Sequence, residues 1–138
     1  MKKIITRSGQ DTIKLAEKFG RKLKRGDVVA LVGDLGSGKT TFTKGIARGL
    51  GVKNTRYINS PSFVIIKEYK GKVPLYHFDV YRLDDVKDLE DLGYEEYFYA
   101  DGVCVVEWAD KIKSLLPKAA LEVRFKFISE NEREIILL

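Results

Sequence analysis

The chain has 138 residues, 44% of them hydrophobic and 33% charged, with a formal net charge of +5 at pH 7. These values fit one globular domain spanning residues 1–138. They exclude a membrane-spanning protein, because no apolar run reaches the roughly 18 residues that a spanning helix needs. The single Cys104 excludes an internal disulfide, so we expect a cytoplasmic protein in which Cys104 is a small core residue.

Alternating strands and helices are predicted along the whole chain. Apolar and β-branched runs predict strands at 3–6, 28–32, 64–66, 75–78, 103–106, 120–128 and 133–138. Apolar residues at helical spacing predict helices at 13–23, 42–50, 84–93, 95–99 and 110–116. This order predicts a three-layer α/β sandwich of the phosphate-loop NTPase type, with a mixed, mainly parallel central sheet. A turn at 69–73 adds an antiparallel hairpin.

The chain is organised around one glycine-rich stretch, which matches the phosphate-binding loop pattern G-x-x-x-x-G-K-[ST]. Its residues are Gly33, Asp34, Leu35, Gly36, Ser37, Gly38, Lys39 and Thr40. A predicted strand before it and a predicted helix after it supply the context that the motif requires. Inward-facing backbone N–H groups and the positive end of the helix dipole attract polyphosphate. Lys39 is predicted to reach the terminal phosphates, and the Thr40 hydroxyl is predicted to bind Mg²⁺.

Two acidic residues each follow an apolar strand directly. Glu107 follows the run at 103–106, and Asp79 follows the run at 75–78. A nucleotide-hydrolysing site needs an acid of this kind to hold Mg²⁺ or to orient the attacking group. The more fully apolar strand favours Glu107 for the metal, which leaves Asp79 to orient water. Either acid alone could also be an ordinary loop-facing charge.

Four nearby features allow a structural as well as a functional interpretation. His77, the only histidine, is interpreted as a hydrogen-bonded strand residue rather than a base. Trp108 could pack against a nucleotide or belong to the core, and Arg82 could reach a phosphate or lie on the surface. The loop 60–63 could sense the terminal phosphate or form a turn fixed by proline.

Charge is unevenly distributed along the chain. Residues 1–25 carry nine lysines and arginines, and residues 79–101 carry nine acidic residues. Two such patches could steer a protein or RNA partner, or they could be two solvated helix faces.

Five stretches occur together in a characteristic order. They are Gly33–Phe42, Ser60–Phe63, Tyr76–Leu83, Leu92–Phe98 and Val106–Asp110. Together they closely resemble the TsaE (YjeE) family of bacterial ATPases of tRNA threonylcarbamoyladenosine synthesis, over about residues 8–116. The glycine loop is shared by many families, whereas its combination with H-F-D-x-Y-R-L and V-E-W is specific. Ser62 stands where the family commonly has threonine, and the hydroxyl is kept.

The resemblance implies an ATP- and Mg²⁺-dependent ATPase with low intrinsic hydrolysis. It implies binding to the TsaD–TsaB heterodimer and support of threonylcarbamoylation of the tRNA adenosine next to the anticodon. The tRNA would be reached indirectly through that complex, with no role for DNA or a membrane. The resemblance also implies the roles of individual residues. Lys39, the loop amides and Thr41 would bind the phosphates, and Thr40 and Glu107 would bind Mg²⁺. Asp79 would take part in hydrolysis, and Trp108 would lie near the nucleotide.

Two other function classes compete with this interpretation. A small-molecule kinase could use the same loop, but it needs an acceptor site and an arginine-bearing lid, which residues 110–138 do not offer. A GTP-dependent switch usually carries an N-K-x-D motif, which this sequence lacks. We therefore expect an ATP hydrolase that works within an assembly.

Overall fold

The computed structural model describes residues 1–34, 36–59 and 65–138. The strands are β1 (Lys2–Thr6), β2 (Val28–Val32), β3 (Ile66–Tyr69), β4 (Leu75–Asp79), β5 (Val103–Glu107), β6 (Leu121–Phe127) and β7 (Arg133–Leu137). The helices are α1 (Gly9–Arg21), α2 (Lys39–Gly49), α3 (Val86–Asp91) and α4 (Tyr94–Phe98). Short 3₁₀ segments cover Thr55–Tyr57 and Ala109–Leu115, the second in place of the predicted helix at 110–116.

The described strands form one mixed sheet in the order β1-β7-β6-β2-β5-β4-β3. β2 pairs in parallel with β5 and β6, and β4 pairs in parallel with β5. The pairings β1–β7, β6–β7 and β3–β4 are antiparallel. The predicted α/β class, mixed sheet and middle hairpin are confirmed. The sheet is only partly parallel, however, because the C-terminal hairpin extends it and β1 joins that antiparallel edge.

The central strands are covered by helices on both faces. On β2, Val29 and Leu31 pack in the core beneath α1 and α2, whereas Val28 and Ala30 pack in the core that includes α3 and α4. A strand buried on both faces needs apolar side chains at every position, which explains the continuous apolar runs of β2 and β5. The sheet is therefore the middle of three layers.

Cys104 lies in this core, as the sequence predicted. It is fully buried on β5, and burial raises the pKa of its thiol to about 12. Within the described ranges, no helix has both the length and the apolar character that crossing a membrane requires.

Glycines allow close contact between α1 and α2, which run in the same direction on one face of the sheet. A Cβ atom at Gly20 would lie 2.7 Å from the carbonyl oxygen of Ile46. A Cβ atom at Gly49 would lie 2.5 Å from the carbonyl oxygen of Glu17. The two backbones can touch at these points only because glycine has no side chain.

Replacing Gly20 with alanine is expected to lower the free energy of unfolding by about 1–3 kcal/mol, because the helices must separate to admit the methyl group. Gly9→Ala is the matched control on the same helix, since a Cβ there meets nothing within 4 Å. Chemical denaturation of both variants measures the difference. Equal unfolding free energies for Gly20→Ala and the wild type would contradict the close contact.

Candidate functional site

The glycine loop and both predicted acids lie at one edge of the sheet. The loop follows β2, and Leu31 of β2 is level with Glu107 of β5. Asp79 of β4 is level with Glu107 from the other side. Because the three strands are parallel, their carboxyl ends meet at this edge, which is where open α/β sheets bind ligands.

The loop backbone requires glycine at specific positions. Gly36 and Gly38 have φ angles of 75° and 106°, in the left-handed region that L side chains rarely adopt. Gly33 is constrained by space instead, because a Cβ there would lie 2.9 Å from the carbonyl oxygen of Phe125. Leu35, which the sequence also assigns to the loop, lies outside the described residues.

Lys39 is held inside the loop. The residue is 5% exposed, and Nζ donates to the carbonyl oxygens of Gly33 at 2.5 Å and Asp34 at 2.8 Å. Nζ also lies 3.9 Å from the centre of the Trp108 ring. Burial lowers the pKa of Lys39, and nearby acids, Glu107 first among them, act in the opposite direction. Burial therefore disfavours the charged ammonium group of Lys39, and the carbonyl oxygens of the loop stabilise that group by accepting its hydrogen bonds.

Thr40 and Glu107 are in direct contact. The Thr40 hydroxyl donates to Oε1 of Glu107 at 3.0 Å, and Oε2 of Glu107 lies 2.5 Å from Nε2 of His77. Both His77 and Glu107 are buried. Hydroxyl and carboxylate oxygens are the ligands that Mg²⁺ prefers, and Mg²⁺ typically uses only one or two of them together with phosphate oxygens. This oxygen pair therefore suits Mg²⁺, although the described residues hold no cluster of three metal-ligating side chains of the His, Cys, Asp and Glu type.

A cavity of about 220 Å³ lies over the loop. Its lining residues are Gly36, Ser37, Gly38, Lys39, Thr40, Thr41, Glu107, Trp108 and Arg133. A second cavity of about 130 Å³ shares Gly38, Thr41 and Arg133 with the first and extends toward the start of α1. Most of the site residues predicted from the sequence therefore line the first cavity.

Asp79, Arg82 and the loop 60–63 are placed differently. Asp79 is not among the described residues that line the first cavity, and its Oδ1 accepts a hydrogen bond from the backbone N–H of Tyr81 at 3.0 Å. Arg82 is exposed. The loop 60–63, predicted to sense a terminal phosphate, lies outside the described residues.

Arg133 is a site residue that sequence reasoning missed. Its Nη1 donates to the carbonyl oxygens of Ser129, Glu130 and Glu132, which fix the side chain at the start of β7. Its Nε is buried and has no hydrogen-bond partner among the described residues. The C-terminal strands carry no motif, so only the pairing of β7 with β6 reveals that this arginine lies beside the loop.

Trp108 forms a wall of the cavity. It is half-buried, its ring lies 4.7 Å from that of Tyr81, and its φ of 62° is a rare left-handed value for a bulky residue. Such backbone strain persists where the surrounding structure imposes it, often at functional sites. Its side chain lines the cavity and also packs against the core that includes α3 and α4, so its position is consistent with both sequence interpretations.

Comparison with known proteins identifies the family. The family model described as "Threonylcarbamoyl adenosine biosynthesis protein TsaE" matches residues 6–135. The chain belongs to the TsaE family. The match includes all of β6 and the first three residues of β7, and so extends beyond the motifs from which the resemblance was inferred.

Individual TsaE relatives agree with this assignment. A Bacillus subtilis protein named tRNA threonylcarbamoyladenosine biosynthesis protein TsaE is 53% identical over 127 residues, covering 91% of this chain and 78% of the relative. A Treponema pallidum protein of the same name is 42% identical over 131 residues, covering 95% of this chain and 96% of the relative. The crystal structure of Bacillus subtilis YdiB superimposes with a TM-score of 0.80 at 44% identity, covering 99% of this chain and 83% of that one.

Proposed function

We propose that this TsaE family member is a Mg²⁺-dependent ATPase that supports tRNA threonylcarbamoyladenosine synthesis together with a TsaD–TsaB heterodimer. The observation that carries the proposal is the convergence of the glycine loop, Lys39, Thr40 and Glu107 around one cavity. The names of the relatives support the part of the proposal that concerns tRNA threonylcarbamoyladenosine synthesis. The lining of the cavity supports the ATPase part, because it combines hydrogen-bond donors that suit phosphate with oxygen atoms that suit Mg²⁺.

The loop and two cations would bind the triphosphate. The left-handed turns at Gly36 and Gly38 shape the backbone ahead of α2, whose N-terminus favours negative charge. Lys39 would exchange the carbonyls of Gly33 and Asp34 for phosphate oxygens. Arg133 adds a second cation at the cavity wall, already oriented by three carbonyl groups.

Thr40 and Glu107 would hold Mg²⁺, which neutralises the charge of the phosphates and of the leaving group when bound. Asp79 ends the strand beside Glu107, and we assign it the role of orienting the attacking water. The residues between 109 and 138 form a 3₁₀ segment and a hairpin rather than a lid. Intrinsic hydrolysis is therefore expected to be slow, since the described part of the chain does not close over the cavity.

Adding the TsaD–TsaB heterodimer is expected to raise ATP hydrolysis by about tenfold or more, because partners that complete a phosphate-loop site accelerate it strongly. The measurement is phosphate release from the chain alone, from the heterodimer alone and from the mixture, each with ATP and with GTP. An unchanged rate in the mixture would contradict the subunit role. Stoichiometric phosphoryl transfer to a metabolite would instead support a small-molecule kinase, and equal use of GTP would count against ATP specificity.

A further inference from the structure

We propose that His77 is a positioning residue that fixes the Glu107 carboxylate in the orientation needed to bind Mg²⁺. The inference rests on the proposed function, since it concerns the same metal site. His77 is the only histidine in the chain, and the sequence alone was interpreted as making it a hydrogen-bonded strand residue. The inference assigns it a function.

The register of the sheet places the two side chains together. His77 of β4 pairs with Val105 of β5, so Glu107 lies one residue pair further along the same face. Nε2 of His77 lies 2.5 Å from Oε2 of Glu107, and the two side chains are 0% and 2% exposed. Water is therefore excluded from this contact, and the orientation of the carboxylate depends on its protein partners.

Glu107 lies between two hydrogen-bonding side chains. The Thr40 hydroxyl lies 3.0 Å from Oε1 and 3.3 Å from Oε2, and Nε2 of His77 contacts Oε2. In the proposed metal site, the Thr40 hydroxyl oxygen is itself a ligand, so among the hydrogen bonds of the described residues the one from His77 holds the Glu107 carboxylate from outside the metal ligands. A group that hydrogen-bonds a ligand from behind fixes its direction, as such partners do in other metal sites.

The other ring nitrogen shows that this contact is the main polar role of His77. An ionised carboxylate can only accept, so a neutral His77 ring that hydrogen-bonds Glu107 carries its hydrogen on Nε2. Nδ1 is then an acceptor, and it is buried without a hydrogen-bond partner among the described residues. An apolar side chain would fill the same space without burying an unpaired nitrogen. We infer that the hydrogen bond from Nε2 to the Glu107 carboxylate offsets the unfavourable free energy of burying Nδ1 without a partner.

The test compares His77→Leu, which removes the donor, with His77→Gln, whose amide N–H can take the place of Nε2–H. The probe is ADP binding by calorimetry, titrated with Mg²⁺ and repeated in excess chelator. His77→Leu is expected to weaken apparent Mg²⁺ affinity by about 10–100-fold, and His77→Gln is expected to recover most of it. A general packing defect would lower chelator-resistant ADP affinity as well and would not be rescued by glutamine.

The outcomes separate this inference from the proposed function. If Mg²⁺ strengthens ADP binding to the wild type and Glu107→Gln abolishes that effect while His77→Leu does not, the positioning role alone is wrong. If Mg²⁺ has no effect on the wild type, the metal site is wrong and the positioning role falls with it.

A measurement on the wild type keeps the inference testable if His77→Leu does not fold. Because the chain has one histidine, its imidazole ¹⁵N spectrum contains the signals of a single ring. At a pH where the ring is neutral, the Nε2–H tautomer is expected, with a proton that exchanges slowly with water. The Nδ1–H tautomer, or averaging between the two, would overturn the proposal.

Discussion

Replacing Lys39 with alanine is expected to reduce ATP hydrolysis by at least about 100-fold, both alone and with the partner proteins, because the charge that stabilises the transferring phosphoryl group is lost. The measurement is phosphate release at saturating ATP. Unchanged turnover in the variant would contradict the role assigned to Lys39.

The control for this variant is Lys44→Ala, which removes a lysine from the same helix outside the residues that line the cavity. Hydrolysis by the control should match that of the wild type. Thermal unfolding of both proteins checks the fold. Since burial disfavours the charged form of Lys39, its removal is not expected to unfold the protein.

Replacing Glu107 with glutamine is expected to reduce Mg²⁺-supported hydrolysis by about 100-fold, while nucleotide binding in the presence of a chelator is retained. Glutamine has nearly the same shape, and its amide can still hydrogen-bond Thr40 and His77, so the change removes charge rather than volume. The measurement is hydrolysis over a range of Mg²⁺ concentrations.

Glu122→Gln is the matched control, because Glu122 lies on β6 and forms a surface ion pair with Arg124. ATP hydrolysis by the Glu122→Gln variant should depend on the Mg²⁺ concentration in the same way as hydrolysis by the wild type. A Glu107→Gln variant that responds to Mg²⁺ like this control would show that the carboxylate does not hold the metal.

Local patterns predicted most of the fold. The apolar runs identify β2 and β5 because both faces of these strands are buried. The pairing of β1 with β7 could not be predicted, since it joins Lys2 to Leu137, and no local pattern encodes contacts between chain ends. This pairing and the β6–β7 hairpin make the sheet less parallel than the sequence suggested.

The candidate site was predictable where its residues stand in motifs. The glycine loop was recognisable from spacing and context, and Glu107 from its position at the end of an apolar strand. The contact between His77 and Glu107 depends on the register of two strands, and the approach of Arg133 depends on strand order. Both are set by tertiary structure, so single-sequence patterns do not reveal them.

The close contact between α1 and α2 also has an electrostatic consequence. The two helices run in the same direction, and the first turns of both line the smaller cavity, α1 through Gly9 and Thr12, and α2 through Thr41. Their dipoles therefore lie side by side with the positive ends together, an arrangement that is unfavourable by itself. An anion bound at this end would relieve that repulsion, so the same glycines that bring the helices together also bring their positive ends together.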